Sequence, residues 1–291
     1  MICTLCPRRC GALREDTHGE GFCRQPALPV VARAALHRWE EPVISGKNGA
    51  GTVFFSGCSL GCVFCQNEAI SHKDFGKTVS VERLSEIFRE LAAQGAENID
   101  LVNPTHFAHV LPQAIEKSGV SIPFVWNSGG YDTVDAVRAM APYVSVWLPD
   151  LKYLDPARAA KYSAAADYPD AAKAAIMEMF AQAGPAVVEN GLLKRGVLIR
   201  HLLLPGGLVE AKAVMDWVAA AFPAGSVLFS LMGQYTPCGD LTSYPELGRT
   251  VRQSELRVAA AYMEALGLVG FTQDAASADT HYIPSFDLTG V

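Results

Sequence analysis

From residue 52 onward the chain alternates short, continuous apolar runs with longer stretches in which apolar positions recur every three or four residues. Runs of the first kind read as strands buried on both faces, and those of the second as amphipathic helices. The first strand is predicted over residues 52–56 (TVFFS), ending at Gly57. The helix that follows is sharply bounded: Ser80 is its expected N-cap, Leu84, Ile87, Phe88 and Leu91 form one face, and Gly95 stops it. Further strands are expected over 99–102, 122–126, 144–148, 197–203 and 227–231. Helices are expected over 107–117, 133–140, 156–166, 170–183, 208–221 and 250–266. Six strands alternating with helices predict a parallel sheet, and periodicity alone does not say whether it is open or curled.

Polar and special residues gather where these strands end. Asn103 and Thr105, Asn127 and Ser128, Asp150 and Lys152, and Gly233 and Gln234 all follow apolar runs. The carboxyl edge of a parallel sheet is the ligand side in barrels and open sheets alike, so these residues are candidates for a common site. A length of 291 residues suits one large domain with a small appendage.

Composition removes several classes. Half the residues are apolar, 19% are charged and the formal net charge is -6, which argues against bulk disorder or a chain-wide nucleic-acid footprint. Residues 1–47 are locally basic, with Arg8 and Arg9 adjacent; a solvated surface and contact with RNA or another anion are both compatible with this. No run has the length needed to cross a bilayer, and Cys3 and Cys6 follow the first methionine without a charged leader and apolar signal core. A cytoplasmic protein without membrane contact is expected. Seven of the eight cysteines fall into two close-spaced groups, which suits metal-binding thiolates better than disulfides.

The sharpest chemical signal is the run GCSLGCVFCQN directly after the first strand. Cys58, Cys62 and Cys65 stand in a C-x3-C-x2-C spacing that supplies three ligands to a [4Fe-4S] cubane and leaves one iron open. A tetrahedral zinc site would need a fourth ligand, and Gln66, Asn67 and the more distant His72 are poor candidates. With the aromatic Phe64 before the last cysteine, this loop resembles that of the radical S-adenosylmethionine (SAM) superfamily. The resemblance implies that SAM occupies the open iron and that the reduced cluster cleaves it to a 5′-deoxyadenosyl radical for hydrogen abstraction. An electron donor such as flavodoxin or ferredoxin would then be needed. The fold expected is α/β, a partial (β/α)6 barrel of TIM type over residues 48–291 with a C-terminal extension, preceded by a Cys-rich metal-binding extension over 1–47.

The same resemblance points to cofactor-binding positions. Phe64, between two cluster ligands, would shield the cluster or line the adenine site, with core packing the plain alternative. In place of the superfamily's Gly-Gly-Glu run, this chain has Asn103, Pro104, Thr105 and His106, so Asn103 or Thr105 would hold the SAM amino group through a neutral side chain. Asp150 and Lys152 resemble the Asp-x-Lys motif of glycyl-radical-enzyme activases, whose lysine approaches the SAM carboxylate. Arg200, in an apolar strand, resembles an activase arginine that faces the cofactor and needs an anionic or hydrogen-bonding partner; His201 should point to the opposite face. Asn127 sits in the run WNSGGY. Together with CTLCPRRCG, NPTH, YTPCG and YIPSFD it resembles uncharacterised pyruvate formate-lyase-activase-like proteins over nearly the whole chain.

The second group, Cys3, Cys6, Cys10 and Cys23, could close a zinc site or fully ligate a second [4Fe-4S] cluster; unliganded thiols are the plain alternative. Cys238 is left over, as an inert thiol or a participant in substrate chemistry. The activase resemblance favours a protein or peptide substrate. A small molecule or RNA is the competing enzymatic reading, and a non-catalytic electron carrier the third.

Overall fold

The computed structural model describes residues 1–273 and 284–291. Its strands are β1 (Val30–His37), β2 (Ala50–Phe55), β3 (Lys77–Thr78), β4 (Ile99–Val102), β5 (Phe124–Ser128), β6 (Val146–Pro149), β7 (Val187–Glu189), β8 (Leu192–Leu202), β9 (Leu228–Met232) and β10 (Gly270–Gln273). Its α-helices are α1 (Pro42–Ser45), α2 (Glu68–Ser71), α3 (Val81–Ala93), α4 (Leu111–Ser118), α5 (Val134–Met140), α6 (Pro156–Ser163), α7 (Tyr168–Ala183), α8 (Leu208–Ala221) and α9 (Gln253–Ala265). The six expected strands are present as β2, β4, β5, β6, β8 and β9, and β10 adds a seventh.

These seven strands are parallel neighbours in chain order: β2, β4, β5, β6, β8, β9, β10. An order that never reverses, with the usual right-handed crossovers, places the helices on one face, as in β/α barrels, and frees the other to line an interior. At the β2 edge the sheet is mixed, because β1 runs antiparallel to both β2 and β3. Among the described residues no ladder joins β10 to that edge. The C-terminal residues lie beside β1 instead: the Leu288 N–H donates to Ala32 O (3.1 Å), and the Ala34 N–H to Thr289 O (2.8 Å). Of the YIPSFD run, Tyr282 and Ile283 fall outside the described residues.

Packing explains both faces. On the helix side, α3 is capped as its sequence predicts, with Ser80 Oγ accepting the Arg83 N–H at 3.1 Å, and its Leu84, Ile87, Phe88 and Leu91 are buried. Each such side chain contributes roughly 1.5–3 kcal/mol of apolar burial. On the inner side, Val125, Val146, Leu198 and Leu228 join Val43 and Ile44 of α1 in a separate apolar cluster. Because β1 is antiparallel to β2, with His37 opposite Ala50, α1 enters from the end of the sheet away from the strand termini that carry the polar residues.

Several differences from the sequence reading have local causes. The helix expected to start at residue 107 begins at Leu111, because Thr105–Phe107 form a 3-10 turn first. Strand β8 starts five residues early, at Leu192, because β7 folds back on it as a hairpin. Strand β1, in the leader, is an integral strand of the sheet, flanked by β2 and β3, although nothing in the leader's sequence set it apart as part of the alternating frame.

Candidate functional site

The three loop cysteines follow β2 directly. Gly57, at φ 78°, makes the turn that starts the loop, and a Cβ there would meet Gln25 Cγ at 2.2 Å and Cys23 O at 2.8 Å. Only glycine fits between the strand end and the leader. Each thiol is separately held. Asn103 Oδ1 lies 3.7 Å from Cys58 Sγ, the Ser163 hydroxyl 3.0 Å from Cys62 Sγ, and the Ser71 hydroxyl donates to Cys65 Sγ at 3.2 Å. Burial first, then the neighbouring Cys62 and Cys65, pushes the Cys58 thiol well above its usual range; burial and Cys62 push Cys65 up to about 11. Three neighbouring thiols, with Cys58 and Cys65 both raised, are a donor set that a cationic cluster would convert to thiolates. Among the described residues no three His, Cys, Asp or Glu side chains converge as on a single metal ion. A cubane, held from its corners, calls for a wider set.

Cys62, Phe64 and Cys65 line one cavity of about 650 Å³ with Asn127, Asp150, Lys152 and Arg200. Such a volume accommodates a small-molecule ligand. Arg200 spans three partners from β8: Nε to Asp150 Oδ1 (2.9 Å), one terminal nitrogen to Glu40 Oε2 (3.1 Å) and the other to Asn127 Oδ1 (2.6 Å). Lys152 Nζ donates to Asp150 Oδ2 at 2.5 Å. Burial raises the Asp150 carboxyl, but Lys152 and Arg200 outweigh it and hold it below the usual range; burial likewise opposes the Lys152 ammonium, which Asp150 and then Cys62 stabilise. The lysine therefore stays charged between a carboxylate and the cluster loop. His201 points the other way, as period-two geometry requires, with Nδ1 2.7 Å from Leu151 O.

Phe64 is buried against Tyr235, ring centroids 5.9 Å apart, and also faces the cavity. Asn103 lies behind the cavity lining, donating to Gly57 O near the first cysteine. Thr105 is 2% exposed, and its hydroxyl donates to Asp132 Oδ1 at 2.6 Å, in a buried network with Trp126 and Ser128. His106 Nε2 lies 2.7 Å from Ser56 O, beside the loop's start. The NPTH turn thus buttresses the cysteine loop, and only Asn103 comes near a thiol.

In the leader, Cys3, Cys6 and Cys23 are buried and Cys10 is exposed. Burial pushes Cys6 up to about 12, and Cys23, Cys3 and Cys10 add to the rise. Backbone N–H groups of Ala12 and Phe22 lower the Cys10 thiol, although its slight burial acts the other way. The four thiols are neighbours on the far side of the cluster loop, outside the cavity. Arg8, half of the basic pair, is turned inward: its guanidinium lies 3.9 Å over the Phe22 ring, donates through Nε to Ser59 O (2.8 Å), and bonds Ser163 O and Ala164 O. Cys238 donates to Phe64 O at 3.0 Å, which packs its loop onto the cluster loop.

Sequence reasoning missed Glu40 and Glu41, which line the cavity and, through Glu40, anchor Arg200. Two adjacent acids running straight into the apolar Pro42, Val43 and Ile44 were the available signal. Ser163 was also missed; a lone serine at a helix end carries none.

Comparisons agree with this geometry. Residues 44–147, which contain the cysteine loop, match the family model of a 4Fe-4S single cluster domain. An uncharacterised protein of Methanocaldococcus jannaschii is 28% identical over 277 residues, covering 91% of this chain and 75% of that protein. The fold is shared with SuiB of Streptococcus suis, solved bound to the precursor peptide SuiA (TM-score 0.54, 14% identity, 75% of this chain and 47% of that one). A radical SAM methyltransferase of Sphaerobacter thermophilus also shares it (TM-score 0.50, 14% identity, 77% of this chain and 66% of that one). This chain therefore spans about half of SuiB and just under two thirds of the methyltransferase, and at such identity the likeness concerns the fold alone. The cysteine loop thus lies inside the stretch matched to a 4Fe-4S single cluster domain, and the fold around it is one shared with a radical SAM methyltransferase. No helix among the described residues is long and apolar enough to cross a membrane.

Proposed function

We propose that this protein cleaves SAM at a [4Fe-4S] cluster held by Cys58, Cys62 and Cys65 and uses the resulting radical to abstract hydrogen from a peptide or protein side chain. The observation that carries the reading is the shared cavity, into which Cys62 and Cys65 open together with the Asp150, Lys152 and Arg200 network. Cluster and SAM, when bound, supply a one-electron cleavage that no side chain can perform. What the chain supplies is position. Lys152, charged and 17% exposed on its side chain, offers an ammonium to a carboxylate beside the loop, and Asp150 and Arg200 hold it there. Phe64 and Asn127 offer a ring edge and an amide on the same wall.

A peptide substrate is supported by the activase-like motifs and by the shared fold with a peptide-bound enzyme. A flavodoxin- or ferredoxin-type protein would deliver the electron. Cys3, Cys6, Cys10 and Cys23 form a second metal centre in this reading, zinc or [4Fe-4S], which braces the cluster loop through Arg8 and the Gly57 contact. Metal and sulfide analysis of the anaerobically purified protein separates the two. Activity is tested by incubating reconstituted protein with reductant and SAM: 5′-deoxyadenosine and methionine should form above the no-protein control. No cleavage by protein with an intact cluster would overturn the proposal.

A further inference from the structure

Deeper in the cavity wall than the Asp150, Lys152 and Arg200 network lies a second polar group whose atoms lack partners. Glu41 lines the cavity and is 1% exposed, yet neither carboxylate oxygen has a hydrogen-bond partner of good geometry among the described residues. Asp100, fully buried, accepts from Asn127 (3.2 Å) and Thr52 (3.5 Å) through Oδ2, while Oδ1 has no partner among the described residues. Ser230, also fully buried, lies close enough to lower the Glu41 carboxyl, yet its hydroxyl completes no hydrogen bond of good geometry among the described residues. Strand register gathers them: Ser230 pairs with Arg200, Asp100 pairs with Thr52 and Val125, and Asn127 follows Val125 on the same face. Each buried polar atom left unpaired costs about 1–3 kcal/mol, so so many in one place call for a ligand.

The charge balance gives the sign of that ligand. Four carboxyl groups, Glu40, Glu41, Asp100 and Asp150, share the cations of Arg200 and Lys152. The ion pairs use Glu40 and Asp150, and among the described residues Glu41 and Asp100 form none. Burial first, and Glu40 beside them, raises both unpaired carboxyls, Glu41 to about 7 despite Arg200. In the free protein a proton is thus the cheapest available neutraliser, and any positive group that reaches this wall replaces it.

We infer that Glu41, with Asp100 and Ser230 buried behind it, forms a subsite for a positively charged organic group of the substrate, a primary ammonium or a guanidinium at the end of a flexible chain. The unpartnered oxygens are acceptors in a cluster, which suits a group made only of donors. Glu41 lines the same cavity as the cluster loop, with Asp100 and Ser230 buried behind that wall, so a chain anchored at Glu41 by its charged end extends past Arg200 toward Cys62 and Cys65. The Arg200 guanidinium within the network disfavours a compact divalent ion, whose field it would oppose. This assignment rests on the radical SAM reading for the location of the chemistry and adds the substrate class: a lysine-like or arginine-like side chain, or a free amine.

Calorimetric titration of the anaerobically reconstituted full-length protein with SAM present tests it, using n-pentylamine and agmatine against uncharged 1-pentanol. The amines should bind at least ~10-fold more tightly than the alcohol, and Glu41→Gln should remove that preference. Ser230→Ala keeps all charges and should weaken amine binding ~3-fold, which covers the case in which Glu41→Gln does not fold. Equal affinity for amine and alcohol, or a preference that survives a folded Glu41→Gln, overturns the inference; so does saturation of the site by potassium or magnesium ions that the amines fail to displace. Amine preference without SAM cleavage would sink the proposed activity and leave the subsite standing, and cleavage without amine preference would do the reverse.

Discussion

The two cysteine groups invite comparison because their sequence signatures are alike and their settings are not. Cys62 and Cys65 open into a ligand-sized cavity beside a charged lysine, whereas Cys3, Cys6, Cys10 and Cys23 lie behind the loop, tied to it by Arg8 and by the Gly57 contact. A thiol next to free volume and paired charges can take part in chemistry on a bound molecule. One packed between a leader and a loop can only shape what lies in front of it. In the function proposed above, that difference gives catalysis to the first group and support to the second.

The largest effect should come from Cys62→Ala: SAM cleavage falls to background while the leader keeps its metal, as measured by iron, zinc and sulfide content together with product release. A parallel loss of both metals would erase the distinction. Cys6→Ser should do the converse, removing the second metal and lowering the melting temperature by ~5 °C or more while a lesser, measurable cleavage activity survives. Complete loss of cleavage in a folded Cys6→Ser would make the second centre part of the reaction.

Arg200→Lys probes the cavity wall alone. One cation remains, but the fork that holds Asp150, Glu40 and Asn127 together is lost, so the Kd for SAM should rise about tenfold, read by equilibrium binding. The smallest effect concerns pH. Glu41 keeps its proton to about 7 in the folded protein against an ordinary 4.5, with Glu40, Asp100 and Arg200 as its charged neighbours. Between those values the folded state binds more protons than the unfolded one, so this group's contribution to stability is full below 4.5 and is lost as pH rises through 7. Denaturant unfolding should show the stability of the wild type relative to Glu41→Gln falling by roughly 2–3 kcal/mol over that window. A pH-independent difference would place the ionisation of Glu41 elsewhere.

Much of the frame was legible because parallel strands buried on both faces leave continuous apolar runs, and capped helices such as α3 announce both ends. The cysteine loop was legible for a stricter reason, since three ligands to one cluster must be close in sequence if a short loop is to present them. Lys152 and Arg200 were found through motifs that resemble those of activases, but their shared dependence on Asp150 was not. Thr105 shows the limit of strand-end logic: its hydroxyl turns to a buried carboxyl, Asp132, that lies 27 residues away in sequence. Strand β10 and the hairpin of β7 were too short or too polar for periodicity to register.

By itself, the sequence determined the alternation of strands and helices, the three-thiol loop and the second set of four cysteines, because each depends on residues near one another in the chain. Only the tertiary structure decided that Arg8 faces inward, that Glu40 and Glu41 reach the interior just beyond the antiparallel strand β1, and that Asp100 and Ser230 lie next to them. Those outcomes depend on strand register and on which face a curved sheet turns inward, and such long-range pairings leave no local trace in the chain.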